Sequence, residues 1–73
     1  MLVTDAKSFG EAIRLRRKQL NYSQKDISEF TGFSVSFISD LERGKPTAEL
    51  EKAIFLANTL GMDCILAART EAK

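Results

Sequence analysis

Residues 24 to 43 read QKDISEFTGFSVSFISDLER, two short amphipathic stretches broken by a glycine. That arrangement leaves the chain few choices. Ser23 stands at an N-cap position with Asp26 three residues on, so a helix opens at Gln24 and runs to about Phe30. Gly32 marks a tight turn. Ser34 caps a second helix, about Val35 to Arg43, and Gly44 stands where such a helix stops. Ile27, Phe33, Ile38 and Leu41 take the inward register and set the angle between the helices. Ser28 is small where they must approach closely. Two short helices joined across a glycine-containing turn make a helix-turn-helix.

The rest of the chain supplies a frame for that unit. Ser8 and Glu11 have capping-box spacing, and Phe9, Ala12, Ile13 and Leu20 share one helical face, which predicts a first helix from about Ser8 to Leu20. Asn21 tolerates the left-handed conformation that ends it. Thr47 is the candidate cap of a fourth helix, about Ala48 to Leu60, with an inner stripe of Leu50, Ala53, Ile54, Ala57 and Leu60 and a stop at Gly61. The segment after Gly61, Met62 to Ala68, is short and apolar, which fits a strand better than a helix. A lone strand leaves its backbone groups unpaired, and the simplest partner is the same segment of a second copy. The expected architecture is mainly α: one domain of four helices over residues 1–73, with a C-terminal β-strand, about 62–68, that pairs across a homodimer.

Composition narrows the function. At 73 residues a single core is small and stability is marginal, so a staple is expected. The single cysteine, Cys64, allows no intrachain disulfide, and with no histidine a metal site is not expected. A partner chain is the staple that remains. Cys64 itself reads as a small packed hydrophobe. The lack of histidine also removes the commonest general base, so the chain is not expected to be an enzyme or to hold a cofactor. No signal peptide or membrane-length apolar run is visible, and the cysteine usage fits a reducing cytoplasm, with a DNA binder found at the nucleoid. The formal net charge is only +1, and from charge alone the densest basic run, Arg14, Arg16, Arg17 and Lys18, reads as a solvated helix face rather than a nucleic-acid contact.

The stronger functional signal is the exposed face of the second motif helix. Ser34, Val35, Ser36, Ser39, Asp40 and Arg43 form a short, polar, uncrowded surface that fits against base edges in a major groove. From the residue pattern alone, a plain αα-hairpin without DNA binding stays open as the alternative.

The run Ile13-Arg14, Arg17, Ser23-Gln24, Ile27, Gly32, Ser34, Ile38-Ser39 and Leu41-Glu42-Arg43-Gly44 resembles the lambda-repressor-like, Xre-family helix-turn-helix domains over about residues 9 to 60. The resemblance implies roles. Gln24 would touch a phosphate at a helix N-terminus. Val35, Ser36 and Asp40 align with base-reading positions, with Ser34 and Ser39 beside them: Val35 for a thymine methyl, Asp40 for a cytosine amino group. Arg43 and Lys45 would hold phosphates. Arg17 and Glu42 align with a structural ion pair between the first and third helices. Two positions depart from the family pattern. Arg16 stands where many relatives carry an apolar residue, with Leu20 as compensation, and Asp40 turns a negative charge towards DNA.

The tail from Lys45 to Thr70 resembles that of HipB-like antitoxins, whose C-terminal strands pair across a dimer. This implies dimerisation through Met62, Cys64, Ile65, Leu66 and Ala67, a palindromic double-stranded DNA operator, autorepression, and a HipA-like kinase toxin as partner. A phage- or plasmid-type repressor without a toxin, or an interaction module that no longer binds DNA, are the other readings.

Overall fold

The computed structural model describes residues 1–69. Four helices follow one another: α1 (Ala6–Gln19), α2 (Gln24–Thr31), α3 (Val35–Glu42) and α4 (Leu50–Thr59). Both α1 and α2 pack on α3, so the third helix is held by its motif partner and by the first helix.

The first helix starts earlier than the Ser8–Glu11 spacing predicts. Asp5 is its N-cap, and Ser8 is the far member of the box: the Ser8 amide donates to Asp5 Oδ1 at 2.7 Å, and the Asp5 amide donates to Ser8 Oγ at 3.1 Å. A hydroxyl here takes the place of the usual glutamate. The Asp5 carboxylate accepts from the Ser8 amide and also from the Ser8 hydroxyl, each at 2.7 Å, and these two bonds, the amide's first, hold it below its ordinary pKa. Helix α1 closes as expected, with Asn21 in the left-handed region at φ 61°.

Helix α4 also departs from expectation. It begins at Leu50 with Glu49 as N-cap and no side-chain cap bond. The Ala48 amide donates to the Lys45 carbonyl at 3.4 Å, so Pro46 and Thr47 are the central residues of a turn. Thr47 therefore cannot cap the helix. Leu50, expected on the inner stripe, projects past the end of the core and is 72% exposed. The stripe that packs is Ala53, Leu56, Ala57 and Leu60, with Leu56 fully buried and Ile54 half-buried.

The core combines that stripe with Ile13, Ile27, Ile38 and Leu41. Phe33, expected inward, is half-buried and packs edge-on against Phe37 and Phe55, with ring centroids 5.2 and 5.8 Å away. This holds the motif turn against α4. Arg16, at the position that is apolar in many relatives, donates from Nε to the Leu60 carbonyl at 2.9 Å. It satisfies an orphan carbonyl at the end of α4 and ties that end to α1.

Residues 62–69 carry no helix or strand. Met62 returns its amide to the Ala57 carbonyl at 2.9 Å and packs on the core of its own chain. From Asp63 onward the segment is exposed, with Ile65 at 78% and Leu66 at 102%. A strand needs a neighbouring backbone, and among the described residues of one chain there is no other strand to pair with.

Gly10 marks the closest approach of α1 to α3. A Cβ there would stand 2.1 Å from the Leu41 carbonyl oxygen and 2.9 Å from that of Glu42. Glycine-to-alanine in a helix ordinarily gains about 1 kcal/mol. Here overpacking should reverse the sign. Gly10→Ala is expected to destabilise the domain by about 1–3 kcal/mol in urea denaturation, and a variant as stable as the parent would disprove the close approach.

Candidate nucleic-acid interface

The candidate reading element is α3. The Phe37 amide donates to Ser34 Oγ at 3.0 Å, which makes Ser34 its N-cap as expected. One side of α3 is occupied by the core through Ile38, Leu41 and Glu42. The opposite side presents Val35, Ser36 and Arg43 to solvent, with Ser39 and Asp40 half-buried beside them.

The turn that aims α3 is pinned by polar contacts. Gly32 sits at φ 79° and donates its amide to the Ser28 carbonyl at 2.8 Å. Ser28 is more than a small residue: its hydroxyl donates to the Phe33 carbonyl at 2.6 Å. Thr31 Oγ1 donates to the Ile27 carbonyl at 2.8 Å and accepts from the Phe33 amide at 3.1 Å. The two hydroxyls bridge the turn, and beyond the residue types neither bond is legible in the sequence pattern.

The far end of α3 is held by a buried ion pair. Arg17 Nε and Nη2 donate to Glu42 Oε2 and Oε1 at 2.6 and 2.9 Å, and Arg17 Nη1 donates to the Tyr22 carbonyl at 2.8 Å. The side chains are 9% and 3% exposed. The hydrogen bonds to Glu42 raise the affinity of the guanidinium for its proton, burial opposes them, and the Glu42 charge adds to the rise. Gln24 joins the same carboxylate, its Nε2 donating to Glu42 Oε1 at 3.1 Å. The residue expected at a phosphate is thus partly buried and engaged with Glu42, and one amide hydrogen remains for a ligand.

The remaining sequence-predicted residues are brought together at the other rim of α3. Arg43 Nη2 meets Asp40 Oδ1 at 2.6 Å, and Lys45 Nζ lies 3.5 Å from Asp40 Oδ2. Arg43 Nη1 donates to Ser39 Oγ at 2.7 Å. Asp40, expected to turn a bare charge towards a cytosine, is instead flanked by two cations. The backbone after α3 makes this possible: the Gly44 amide donates to the Leu41 carbonyl and the Lys45 amide to the Asp40 carbonyl, both at 3.0 Å. This closure folds Lys45 back beside Asp40. The tail residues Cys64, Ile65, Leu66 and Ala67 stand exposed and apart from this rim. Among the described residues no helix is long and apolar enough to cross a membrane.

Comparison with known proteins agrees with this geometry. Residues 13–64 match the family model described as Helix-turn-helix (HTH_3). The chain is 40% identical over 52 residues to the uncharacterized HTH-type transcriptional regulator y4mF of Sinorhizobium fredii (strain NBRC 101917 / NGR234), a match that covers 71% of this chain and 68% of the relative. The fold is similar to that of HipB in a HipB-O4 20mer complex, with TM-score 0.84 and 18% identity over 93% of this chain and 96% of the other. A HipB variant in complex with an O2 20mer gives the same score and identity over 93% and 94%.

Removing Glu42 alone strands a buried guanidinium. Glu42→Ala is expected to cost about 3–5 kcal/mol, whereas the joint change Arg17→Met with Glu42→Leu should recover most of it. Chemical denaturation of the three proteins checks this, and equal losses in the single and double variants would refute it.

Proposed function

The chain belongs to the helix-turn-helix family of HTH-type transcriptional regulators, and from that premise we propose that it is a sequence-specific repressor of its own operon, acting as the HipB-like antitoxin to a HipA-like kinase toxin. The observation that carries the DNA-binding part is the outward side of α3. It is short, carries mostly small side chains and is locked at both ends, by Ser34 and by the Arg17–Glu42 pair. A rigid helix of this kind suits the major groove. Val35 and Ser36 are the freest candidates to meet base edges, with Ser34, Ser39 and Asp40 flanking them. Gln24, Arg43 and Lys45 serve the phosphates, which fix register without reading sequence.

The antitoxin part rests on the tail. The likeness to HipB covers 93% of the chain, so it runs beyond the four helices. The exposed Cys64, Ile65, Leu66 and Ala67 suit pairing with the same segment of a second copy, with Met62 anchoring the segment to its own core. A twofold dimer would set two α3 helices in successive major grooves about 34 Å apart on a palindromic operator. Toxin binding would then tether the kinase at the operator or hold it inactive.

Mobility shift with the chain's own promoter tests the DNA reading. Ser36→Ala is expected to change sequence preference, while Arg43→Ala weakens every site alike. Absence of any shift at low salt rules out operator binding, and equal losses on all sequences remove the base-reading role.

Dimerisation is tested separately by ending the chain at Gly61. Sedimentation should report a monomer, with operator affinity falling steeply. A dimer that survives the truncation overturns strand pairing. The proposal expects a kinase gene beside this one and co-purification of its product with this chain, and an unrelated neighbouring gene favours a repressor without a toxin.

A further inference from the structure

We infer that Asp40 is an internal competitor for the DNA backbone: its carboxylate occupies Arg43 and Lys45 in the unbound protein and so weakens sequence-independent binding. The inference rests on the DNA-binding reading above and assigns Asp40 a role other than reading a base.

Each oxygen of the Asp40 carboxylate meets a different cation, Oδ1 at Arg43 Nη2 and Oδ2 at Lys45 Nζ. The geometry is one-sided. The Asp40 side chain is 29% exposed, while those of Arg43 and Lys45 are 70% and 55% exposed. The anion therefore sits low between two cations that face outward. Arg43 is folded back along α3, because its second nitrogen donates to Ser39 Oγ at 2.7 Å. Lys45 reaches the same carboxylate because its amide returns to the Asp40 carbonyl. Together with Gly44, these three residues line one shallow depression.

A phosphate and a carboxylate compete for the same guanidinium and ammonium donors. A duplex approaching this rim meets a cluster of net charge one rather than two. To hold Arg43 and Lys45 it must first take them from Asp40. These are exposed pairs, so the barrier is modest and a duplex with matching bases overcomes it. A duplex that offers only phosphates gains less. Because a regulator must find its site among a large excess of other sequence, lowering non-specific affinity raises the useful specificity ratio. In a chain whose formal net charge is only +1, one carboxylate at the interface weighs heavily.

Fluorescence anisotropy with a random-sequence duplex tests this without knowledge of the operator. Asp40→Asn should bind about fivefold to tenfold tighter at about 50 mM salt, with a log–log salt slope steeper by about 0.9. Glu51→Gln removes the same charge from the exposed first turn of α4 and controls for net charge. It should change affinity by less than about twofold, since the charge lies outside the contact and is screened. With Arg43→Gln and Lys45→Gln already in place, Asp40→Asn should gain nothing. Asp40→Ala repeats the measurement in case the asparagine perturbs α3, and thermal melts confirm that each variant folds. A gain no larger than that of Glu51→Gln, or one that persists without Arg43 and Lys45, overturns the inference. So does an unchanged random-sequence affinity with an altered preference at one base, which would make Asp40 a base reader. A parent protein that binds no duplex even at low salt fails earlier, at the functional reading itself, and takes this role for Asp40 with it.

Discussion

Arg17 and Glu42 form the contact on which the rest of the architecture depends. Taking both charges out of water costs several kcal/mol each, and their attraction offsets this only when every donor and acceptor is satisfied. That condition is met, since among the described residues no buried side-chain nitrogen or oxygen lacks a partner. An apolar pair of equal volume would fill the same space at less cost in desolvation. It would not specify direction. The guanidinium fork accepts only one orientation of the carboxylate, and its third nitrogen fixes the α1–α2 connection through the Tyr22 carbonyl. With Gln24 on the same carboxylate, α1, α2 and α3 all converge on one side chain at the end of α3. The pair acts on the aim of that helix more than on total stability.

The motif was legible in the sequence because its signals are local and repeated. Gly32 at a left-handed turn, serine caps at Ser23 and Ser34, and buried Ile27, Ile38 and Leu41 each follow from residue type and spacing. The failures share a cause as well. Asp5 and Ser8 make a capping box with an unfamiliar second member, so α1 starts earlier than the Ser8–Glu11 spacing predicts. Pro46 led a turn that consumed Thr47, so α4 starts later than its apolar stripe suggests. Gly10, Arg16 and the Ser28 hydroxyl matter through partners 31, 44 and five residues away respectively, and no periodicity reports such pairings. In the candidate interface, the exposed face of α3 could be read from its pattern. The neutralisation of Asp40 could not, because it depends on how the chain turns back after Gly44.

Size explains why the tail bears on the whole domain. Among the described residues eight apolar side chains form the buried core, and the largest fully enclosed are Ile13, Ile27, Ile38, Leu56 and Leu60. A core of that size leaves little margin against chain entropy. The same chain leaves Ile65 and Leu66 almost wholly in water. Apolar surface of this kind, beside an extended backbone with unpaired groups, is a liability unless something covers it. Pairing with a second copy would satisfy the backbone and bury the side chains at once. Arg16 gives that arrangement mechanical sense, since it clamps the Leu60 carbonyl directly before the tail departs and ties the tail's root to α1.

Charge closes the argument about recognition. A DNA-binding surface built on excess positive charge binds everything, and affinity then says little about sequence. This chain takes the opposite course. Its formal net charge is +1, serines make up half of its candidate reading face, and its two rim cations share a carboxylate. Few strong contacts are available to compensate for a helix held at the wrong angle. Serine hydroxyls read bases only at hydrogen-bond distance, so an error of an ångström in the placement of α3 removes them as readers. A weakly charged face of this kind therefore requires the rigid frame provided by the Arg17–Glu42 pair and the hydroxyl-pinned turn. Low charge and a locked helix are two parts of one physical solution for the proposed reading, in which phosphates would supply modest affinity and discrimination would come from geometry.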